Sequence, residues 1–295
     1  MELEKLKLAG KIAEELKGEA RRLVKPGRRA SEICERLEAL TIELGGSPAF
    51  PCNFSVNSVA AHYTPGLSDD LTLGEKDVVK VDVGVHVDGY IADTAITIDL
   101  SGEHGKLLEA AERALEEAVS TLKPFVSLYE IGRAVESAIK SFGFKPVRNL
   151  SGHTIGRYVI HAGLSIPNYA DRALWHVRVM PGMLIAIEPF ATNGKGLVRE
   201  GGTVNIFSLS SRRPRMALSE GEEKLLSLLA ERYRTLPFTP RWLRERGAEV
   251  FQLFSSLRAK GAFVEYPVLV EVSNGLVSQF EHTVYVGEKE AVLVA

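Results

Sequence analysis

Two aspartates stand in the most regularly patterned part of the sequence, where they could share a metal ion. Residues 78–98 alternate, are rich in β-branched side chains and contain Asp88-Gly89, a pattern that predicts a β-hairpin. With a two-residue turn, position 84 lies opposite position 93, so Asp82 and Asp93 fall on one face of neighbouring strands. Carboxylates this close repel each other unless a cation lies between them. The alternative is one capping and one surface aspartate, although aspartate is disfavoured inside strands.

Three further titratable residues stand in apolar, strand-like stretches. His153 follows Ser151-Gly152, Glu188 ends the apolar run at 183–187, and Glu281 lies within 278–283. A buried carboxylate needs a partner or a metal, and these stretches contain no obvious basic partner. A nearby arginine could satisfy one such residue, but the whole set fits a metal site better.

The elements that must position these residues begin with two similar helix pairs. Helices are predicted for residues 3–24, 31–44 and 106–122, and for a segment that starts at a Ser127/Glu130 capping box and stops near Phe142-Gly143. Pro26 corresponds to Pro124 and Gly46 to Gly143, offsets of 98 (124 − 26) and 97 (143 − 46). This near-constant offset indicates an internal duplication, with two halves packed about a pseudo-twofold axis and a site between them.

The remaining segments are predicted to be strands, interrupted by one insertion. Strands are expected at 155–161, 183–187, 267–272 and 276–286. Residues 195–261 break the pattern and are typical of an inserted helical piece, with helices at 219–234, from Thr239-Pro240, and at 249–260. We therefore expect one unit of residues 1–194 and 262–295, and a second of residues 195–261.

Composition excludes several classes of function. The net charge is −2, from 36 basic and 38 acidic residues, which gives no general attraction to nucleic acid or anionic membranes. Cys34 and Cys52 are too few for a disulfide framework, and this favours a reducing, intracellular location. The N-terminus has no apolar core typical of a signal peptide, and no stretch is long enough to span a bilayer.

The ordered set Asp82, Asp93, His153, Glu188 and Glu281 resembles the five metal ligands of the pita-bread metallopeptidases. Within them, the chain is most similar to the type II methionine aminopeptidases. The similarity lies in segments 48–53, 149–153, 161–168, 186–190, 235–238 and 279–283, and in an insertion between Glu188 and Glu281. The resemblance implies an α+β, creatinase/aminopeptidase fold, with two pseudo-symmetric halves, a curved antiparallel sheet and a helical, winged-helix-like insertion. Gly156 departs from the family, whose members often carry a charged residue there.

The resemblance also implies roles for the five ligands. Asp82 chelates one of two divalent metal ions, Asp93 and Glu281 bridge both, and His153 and Glu188 complete the other. A water or hydroxide bridging the metals is the nucleophile, and Glu188 also carries a proton to the leaving amine. Oxygen ligands with one imidazole suit Co, Mn, Fe or Zn.

Six further residues match the substrate-binding positions of the family. His161 is assigned to the substrate carbonyl oxygen and His62 to the scissile amide, where ordinary surface or capping histidines are the alternative. Four residues match the lining of a methionine pocket, although each of them alone would more often be plain core: Phe50, Ile160, Phe190 and Tyr266.

The function implied is a cytoplasmic, monomeric metalloprotease, an aminopeptidase that removes the N-terminal methionine. Its substrates are nascent chains and peptides whose second residue is small, and contact with the ribosome is left open. One alternative is a proline-directed peptidase, an Xaa-Pro aminopeptidase or prolidase, although such enzymes carry a separate N-terminal domain. A second is a non-catalytic binding protein on the same fold, although such relatives have lost ligands. Binding of nucleic acid by the insertion is disfavoured because its basic and acidic residues nearly balance.

Overall fold

Helices pack against antiparallel strands in a computed structural model that describes residues 2–212 and 214–295. The α-helices are α1 (Glu2–Leu23), α2 (Ala30–Glu43), α3 (Gly105–Thr121), α4 (Leu128–Ser141), α5 (Glu220–Tyr233) and α6 (Glu249–Ala259). Short 3₁₀ helices cover Arg172–Leu174 and Pro240–Arg246. The predicted helix bounds in both pairs are confirmed to within one or two residues, and the Ser127/Glu130 capping box at α4 is confirmed.

The strands form four antiparallel sheets that wrap around the site. They are β1 (Ser47–Pro48), β2 (Asn53–Val56), β3 (Val59–Ala61), β4 (Val78–Val87), β5 (Tyr90–Asp99), β6 (Lys145–Pro146), β7 (Ser151–Ile155), β8 (Ser165–Pro167), β9 (Leu184–Ile187), β10 (Phe190–Thr192), β11 (Val198–Leu209), β12 (Phe263–Glu271), β13 (Val277–Gln279), β14 (His282–Val286) and β15 (Ala291–Leu293). Within the described residues, no helix is both long and apolar enough to cross a membrane.

The two helix pairs are followed by equivalent strands, as the duplication predicts. β1 and β6 begin at residues 47 and 145, and β2 and β7 begin at residues 53 and 151, a spacing of 98 residues in both cases. The helices of both pairs bury their apolar faces in one core, which reaches from Ile12 in α1 to Ile139 in α4 and is floored by the strands. Strands β4 and β5 from the first half and β7 and β9 from the second half contribute residues to this shared core or border it.

The β4–β5 hairpin has the predicted register. Gly84 pairs with Asp93 and Asp82 with Ala95, so Asp82 and Asp93 point to the same face. The turn residues Asp88 and Gly89 both have positive φ, 50° and 83°, as a tight two-residue turn requires.

Two predicted strands are wrong in their bounds. The strand expected at 155–161 ends at Ile155, because Tyr158 has φ of 57° and residues 156–159 close into a turn. The strand expected at 276–286 is interrupted at residues 280–281, where Glu281 makes an isolated bridge to Ala95. Both interruptions lie beside predicted site residues. The periodicity of the sequence therefore did not predict the strand ends where the chain bends toward the site.

The insertion is not purely helical, contrary to expectation. Its first part is the long strand β11, which pairs with β12 along most of its length. Helices α5 and α6 then pack on this ribbon around an aromatic core of Phe207, Phe238, Phe254 and Phe263. The Ser219/Glu222 capping box is confirmed, whereas the division into units of 1–194 with 262–295 and of 195–261 stays a prediction. Met1 and Arg213, which those units include, lie outside the described residues.

Candidate metal and substrate site

A cavity of about 370 Å³ gathers all the site residues predicted from the sequence. Its floor carries the acidic residues and the imidazole of the expected metal site, and its sides carry the other two histidines and the four apolar residues. The lining includes Asp82, Asp93, His153, Glu188, Glu281, His62, His161, Phe50, Ile160, Phe190 and Tyr266. These residues come from five strands and the connecting loops, so the tertiary fold brings them together.

The expected ligands lie within coordinating distance of one another. Ligand atoms of Asp93, His153 and Glu281 are all within 4.8 Å of each other. His153 Nε2 is 3.6 Å from Asp93 Oδ2 and 3.5 Å from Glu188 Oε1. Asp82 lies on the same hairpin face as Asp93. One imidazole nitrogen therefore faces a pocket of carboxylate oxygens.

Threonine hydroxyls fix the backbone at two of the acidic residues. The Asp93 amide donates to Thr283 Oγ1 at 2.7 Å, and that hydroxyl donates to the Asp93 carbonyl oxygen at 2.8 Å. Thr94 Oγ1 donates to the Glu281 carbonyl oxygen at 2.7 Å. These bonds join β5 to the chain around Glu281 where the regular strand is broken, so the break is held by side chains.

The buried carboxylates are electrostatically unfavourable without a cation. Burial raises the pKa of Asp82 to about 7, although the Gln279 side chain opposes the shift. Burial, and next the charge of Asp82, raise the pKa of Asp93 well above its usual value. Burial and then the neighbouring carboxylates do the same to the pKa values of Glu188 and Glu281. In the described chain, no lysine or arginine forms an ion pair with these four residues.

Unpaired polar atoms point to a metal ion as the missing partner. Asp82 Oδ1, Asp93 Oδ1 and Glu281 Oε1 are shielded from solvent and have no hydrogen-bond partner among the described residues. An unpaired buried acceptor costs free energy, and metal coordination removes that cost. Burial, and next the neighbouring His161, lower the pKa of His153 to about 3, so the imidazole is neutral at pH 7 as a metal ligand must be. The donor set, oxygen with one imidazole, fits a divalent transition metal.

Two more imidazoles face the cavity above this floor. The ring of His161 lies 4.4 Å from that of His153, edge to face, and His161 is exposed to the cavity. His62 Nδ1 is 3.3 Å from the Pro267 carbonyl oxygen, so Nδ1 carries the proton and Nε2 is left as an acceptor. Burial lowers the pKa of His62 to about 4 and also lowers that of His161. Both rings are therefore neutral at pH 7, with one donor and one acceptor each.

An apolar recess adjoins the histidines. Phe50, Ile160 and Phe190 are buried, and Tyr266 stands edge-on to His62 with 5.8 Å between ring centres. Phe50 lies directly on Gly84, where a Cβ atom would stand 2.2 Å from the ring. The glycine opposite Asp93 thus lets an aromatic wall come close to the acidic floor.

Two residues that lie beside the expected metal ligands were not predicted from the sequence. Gln279 Nε2 donates to Glu188 Oε2 at 3.3 Å, and Asn53 lies directly across the sheet from Asp82 and lines the cavity. Gln279 lies two residues before Glu281, and side chains two residues apart in a strand point to the same face. Strand periodicity could therefore have identified Gln279. Asn53 had no such signal, because its register against β4 is set by tertiary pairing.

Comparison with known proteins identifies the family of this site. The model of metallopeptidase family M24 matches residues 4–288. The chain belongs to metallopeptidase family M24. It is 45% identical over 97% of its length to the methionine aminopeptidase of Methanocaldococcus jannaschii, 95% of which is covered. It is 47% identical over its full length to that of Pyrococcus abyssi, 99% of which is covered.

A solved structure supports the same fold. The structure of a thermophilic Arx1 superposes on this M24 metallopeptidase with a TM-score of 0.86, covering 100% of this chain and 90% of that one, at 19% identity. The expected pita-bread fold is confirmed. A divalent metal is the cofactor of this family, and the Asp93, His153 and Glu281 cluster fits one. The number and identity of the ions stay predictions.

Proposed function

We propose that this M24 metallopeptidase is a methionine aminopeptidase that releases the N-terminal methionine when the second residue is small. The observation that carries the proposal is the joining, in one cavity, of an acidic floor that fits a divalent metal and an apolar recess that fits a thioether side chain. The names of the archaeal relatives support the same activity. Asp82, Asp93, His153, Glu188 and Glu281 hold the metals.

The acidic floor supplies the hydrolytic chemistry. Bound divalent ions of this type lower the pKa of water from 15.7 to about 7 and so provide a nucleophile at neutral pH. Glu188 would take up a proton from the attacking water through its carboxylate and deliver it to the nitrogen of the leaving amine. Gln279 Nε2 donates to Glu188 Oε2 at 3.3 Å and so orients this carboxylate.

The two cavity histidines act on the scissile peptide group. His161 donates a hydrogen bond to the carbonyl oxygen, which gains negative charge as the tetrahedral intermediate forms. His62 accepts from the amide N–H through Nε2, since its Nδ1 proton is engaged by the Pro267 carbonyl oxygen. Neutral rings serve both roles, and burial keeps both rings neutral at pH 7.

The apolar recess selects the first residue of the substrate. Burying a methionine side chain against Phe50, Ile160, Phe190 and Tyr266 contributes about 1.5–3 kcal/mol, which favours methionine over short or polar residues. We expect a large second residue to press against the cavity walls, which costs roughly 1–3 kcal/mol. Small second residues, from glycine to valine, are therefore expected to be accepted.

Release of free methionine tests the proposal. Met-Gly and Met-Pro peptides should be cleaved, EDTA should stop cleavage, and Mn, Fe, Co or Zn should restore it. Met-Leu and Met-Lys peptides should be poor substrates. Equal turnover of Met-Gly and Met-Lys peptides contradicts the assigned selectivity, and cleavage of Ala-Pro peptides in preference to Met-Gly peptides points to a proline-directed peptidase. Cytoplasmic location, a monomeric state and contact with the ribosome stay predictions.

A further inference from the structure

A buried ion pair joins the insertion to helix α2. Arg241, in the 3₁₀ helix Pro240–Arg246, donates through Nη1 and Nη2 to the two carboxylate oxygens of Glu38, both at 2.8 Å. Trp242 Nε1 donates to Glu38 Oε2, also at 2.8 Å. The side chains of Arg241 and Glu38 are only 3% and 10% exposed. A buried pair is often no more stabilising than an apolar pair of similar volume, so the fixed geometry is its more informative property.

The same two side chains hold two segments of the cavity. Glu38 Oε1 also accepts from the Cys52 amide at 3.1 Å, two residues after Phe50. Arg241 Nε donates to the Pro65 carbonyl oxygen at 3.2 Å, three residues after His62. One guanidinium thus fixes the chain beyond His62 directly and the chain beyond Phe50 through Glu38.

The backbone at His62 needs such support. His62 has φ of 64°, a left-handed conformation that costs about 1–3 kcal/mol for a non-glycine residue unless the surroundings impose it. Asn205, on β11, donates to the Thr64 carbonyl oxygen at 3.0 Å. The residues that hold the chain just after His62 therefore include two from the segment 195–261.

A second ion pair between the same elements provides an internal comparison. Arg244 and Glu35 also join the Pro240–Arg246 helix to α2, at 3.3 Å, but their side chains are 53% and 46% exposed. Within the described part of the chain, the other bond that Arg244 donates is a long one, 3.4 Å, to the Leu67 carbonyl oxygen. This pair touches neither the Phe50 segment nor Pro65, so it links the insertion to α2 without reaching the cavity.

We propose that Glu38 and Arg241 are positioning residues, through which the insertion holds the Phe50 wall and His62 in place for methionine recognition. The inference rests on the proposed aminopeptidase function and assigns the insertion a part in it. The planar guanidinium meets the carboxylate with two parallel bonds and still reaches Pro65, and a lysine ammonium cannot reproduce that arrangement. Loss of the arrangement lets both cavity segments move while the acidic floor, built on other strands, stays intact.

Arg241→Lys tests the proposal, with Arg244→Lys as the matched control and Trp242→Phe as a milder variant that removes one bond to Glu38. Hydrogen exchange measured by mass spectrometry reports on segments 49–54 and 61–66 without depending on activity. In Arg241→Lys, exchange in both segments should rise, and kcat/KM for a Met-Gly peptide should fall about tenfold at unchanged metal content. The preference for methionine over alanine at the first position should also fall, which a general loss of stability would not cause. Arg244→Lys should behave as wild type.

The outcomes separate this inference from the proposed function. Wild-type exchange in either segment of Arg241→Lys, or wild-type selectivity for methionine, overturns the inference. If Arg241→Lys raises exchange throughout the chain, Trp242→Phe decides between the outcomes. Faster exchange confined to the two segments in Trp242→Phe supports the inference, and wild-type exchange in them overturns it. If the wild-type chain releases no methionine, the proposed function fails, and hydrogen exchange alone then decides whether the pair holds the two segments.

Discussion

The β4–β5 hairpin carries aspartates in two contrasting settings. Asp82 and Asp93, in the body of the hairpin, face other carboxylates, and burial raises the pKa values of both. Asp88, at the exposed tip, is held by Lys5 and Arg157, each at 2.7 Å, and by the Tyr158 hydroxyl. These partners, Lys5 first, lower the pKa of Asp88 to about 2.

The comparison distinguishes a structural carboxylate, Asp88, from the carboxylates of Asp82 and Asp93, which are candidates for binding a ligand. Asp88 has its cations within the chain and joins the hairpin tip to α1 and to the loop that carries Ile160 and His161. Among the described residues, Asp82 and Asp93 each keep a shielded oxygen that has no hydrogen-bond partner, as the predicted metal site would require. The three residues are all aspartates of one hairpin, and the groups that surround each carboxylate distinguish the two settings.

The largest effect is expected from the body of the hairpin. Asp82→Ala and Asp93→Ala should each abolish methionine release and lower the bound metal, because each removes a ligand and leaves the other carboxylates facing one another. Metal content by atomic absorption and free methionine by chromatography measure both effects. Full activity with full metal content in either variant would sink the site assignment.

The cavity histidines sharpen the comparison, since they face the substrate but match no ligand position. His161→Ala and His62→Ala should each lower turnover by about 10²-fold or more, as expected for lost stabilisation of the reacting carbonyl or amide. Metal content and thermal stability should stay near those of wild type. Loss of a metal ion from His161→Ala would make His161 a ligand, and wild-type turnover in both variants would end their substrate-facing assignment.

Gly84, on the same hairpin face, should give an intermediate effect. The Cβ atom of Gly84→Ala would lie 2.2 Å from the Phe50 ring, so the aromatic wall has to shift. Overpacking of this kind costs about 1–3 kcal/mol, and we expect kcat/KM for Met-Gly peptides to fall roughly tenfold at unchanged metal content. Steady-state kinetics with a parallel metal assay measure this, and unchanged kinetics would show that Phe50 does not shape the recess.

The smallest effect is expected at the tip. Asp88→Asn keeps a residue that tolerates positive φ but removes the charge that Lys5 and Arg157 bind. Because the pKa of Asp88 is lowered to about 2, its contribution to stability is present above its ordinary pKa of about 4 and is lost as the pH falls toward 2. Denaturant midpoints should differ slightly at pH 7 and converge near pH 2, whereas metal content should not change. Any loss of metal from this variant would break the distinction between tip and body.

Much of the fold followed from local signals in the sequence. The turn at Asp88-Gly89 and strict alternation determined the hairpin register, because a slip of one residue would move the core valines of β4 to the face that carries Asp82. The capping boxes at Ser127 and Ser219 determined where α4 and α5 begin. Resemblance to a known family then selected the five candidate ligands, which the structure brings to one cavity.

The tertiary structure alone decided where the chain bends and which distant residues support the site. β11 was missed because its pairing with β12 spans more than 50 residues of intervening chain, from Leu209 to Phe263, and leaves no local signal. Thr94 binds the backbone at Glu281, where the strand is broken. Arg241 supports the segment of Phe50 through Glu38, which lies 203 residues earlier in the chain. Periodicity and capping act over a few residues, so the sequence predicts the helices and the hairpin that such local signals specify. The bonds that close this cavity join residues far apart in the chain, and only the packed fold decides which of them meet.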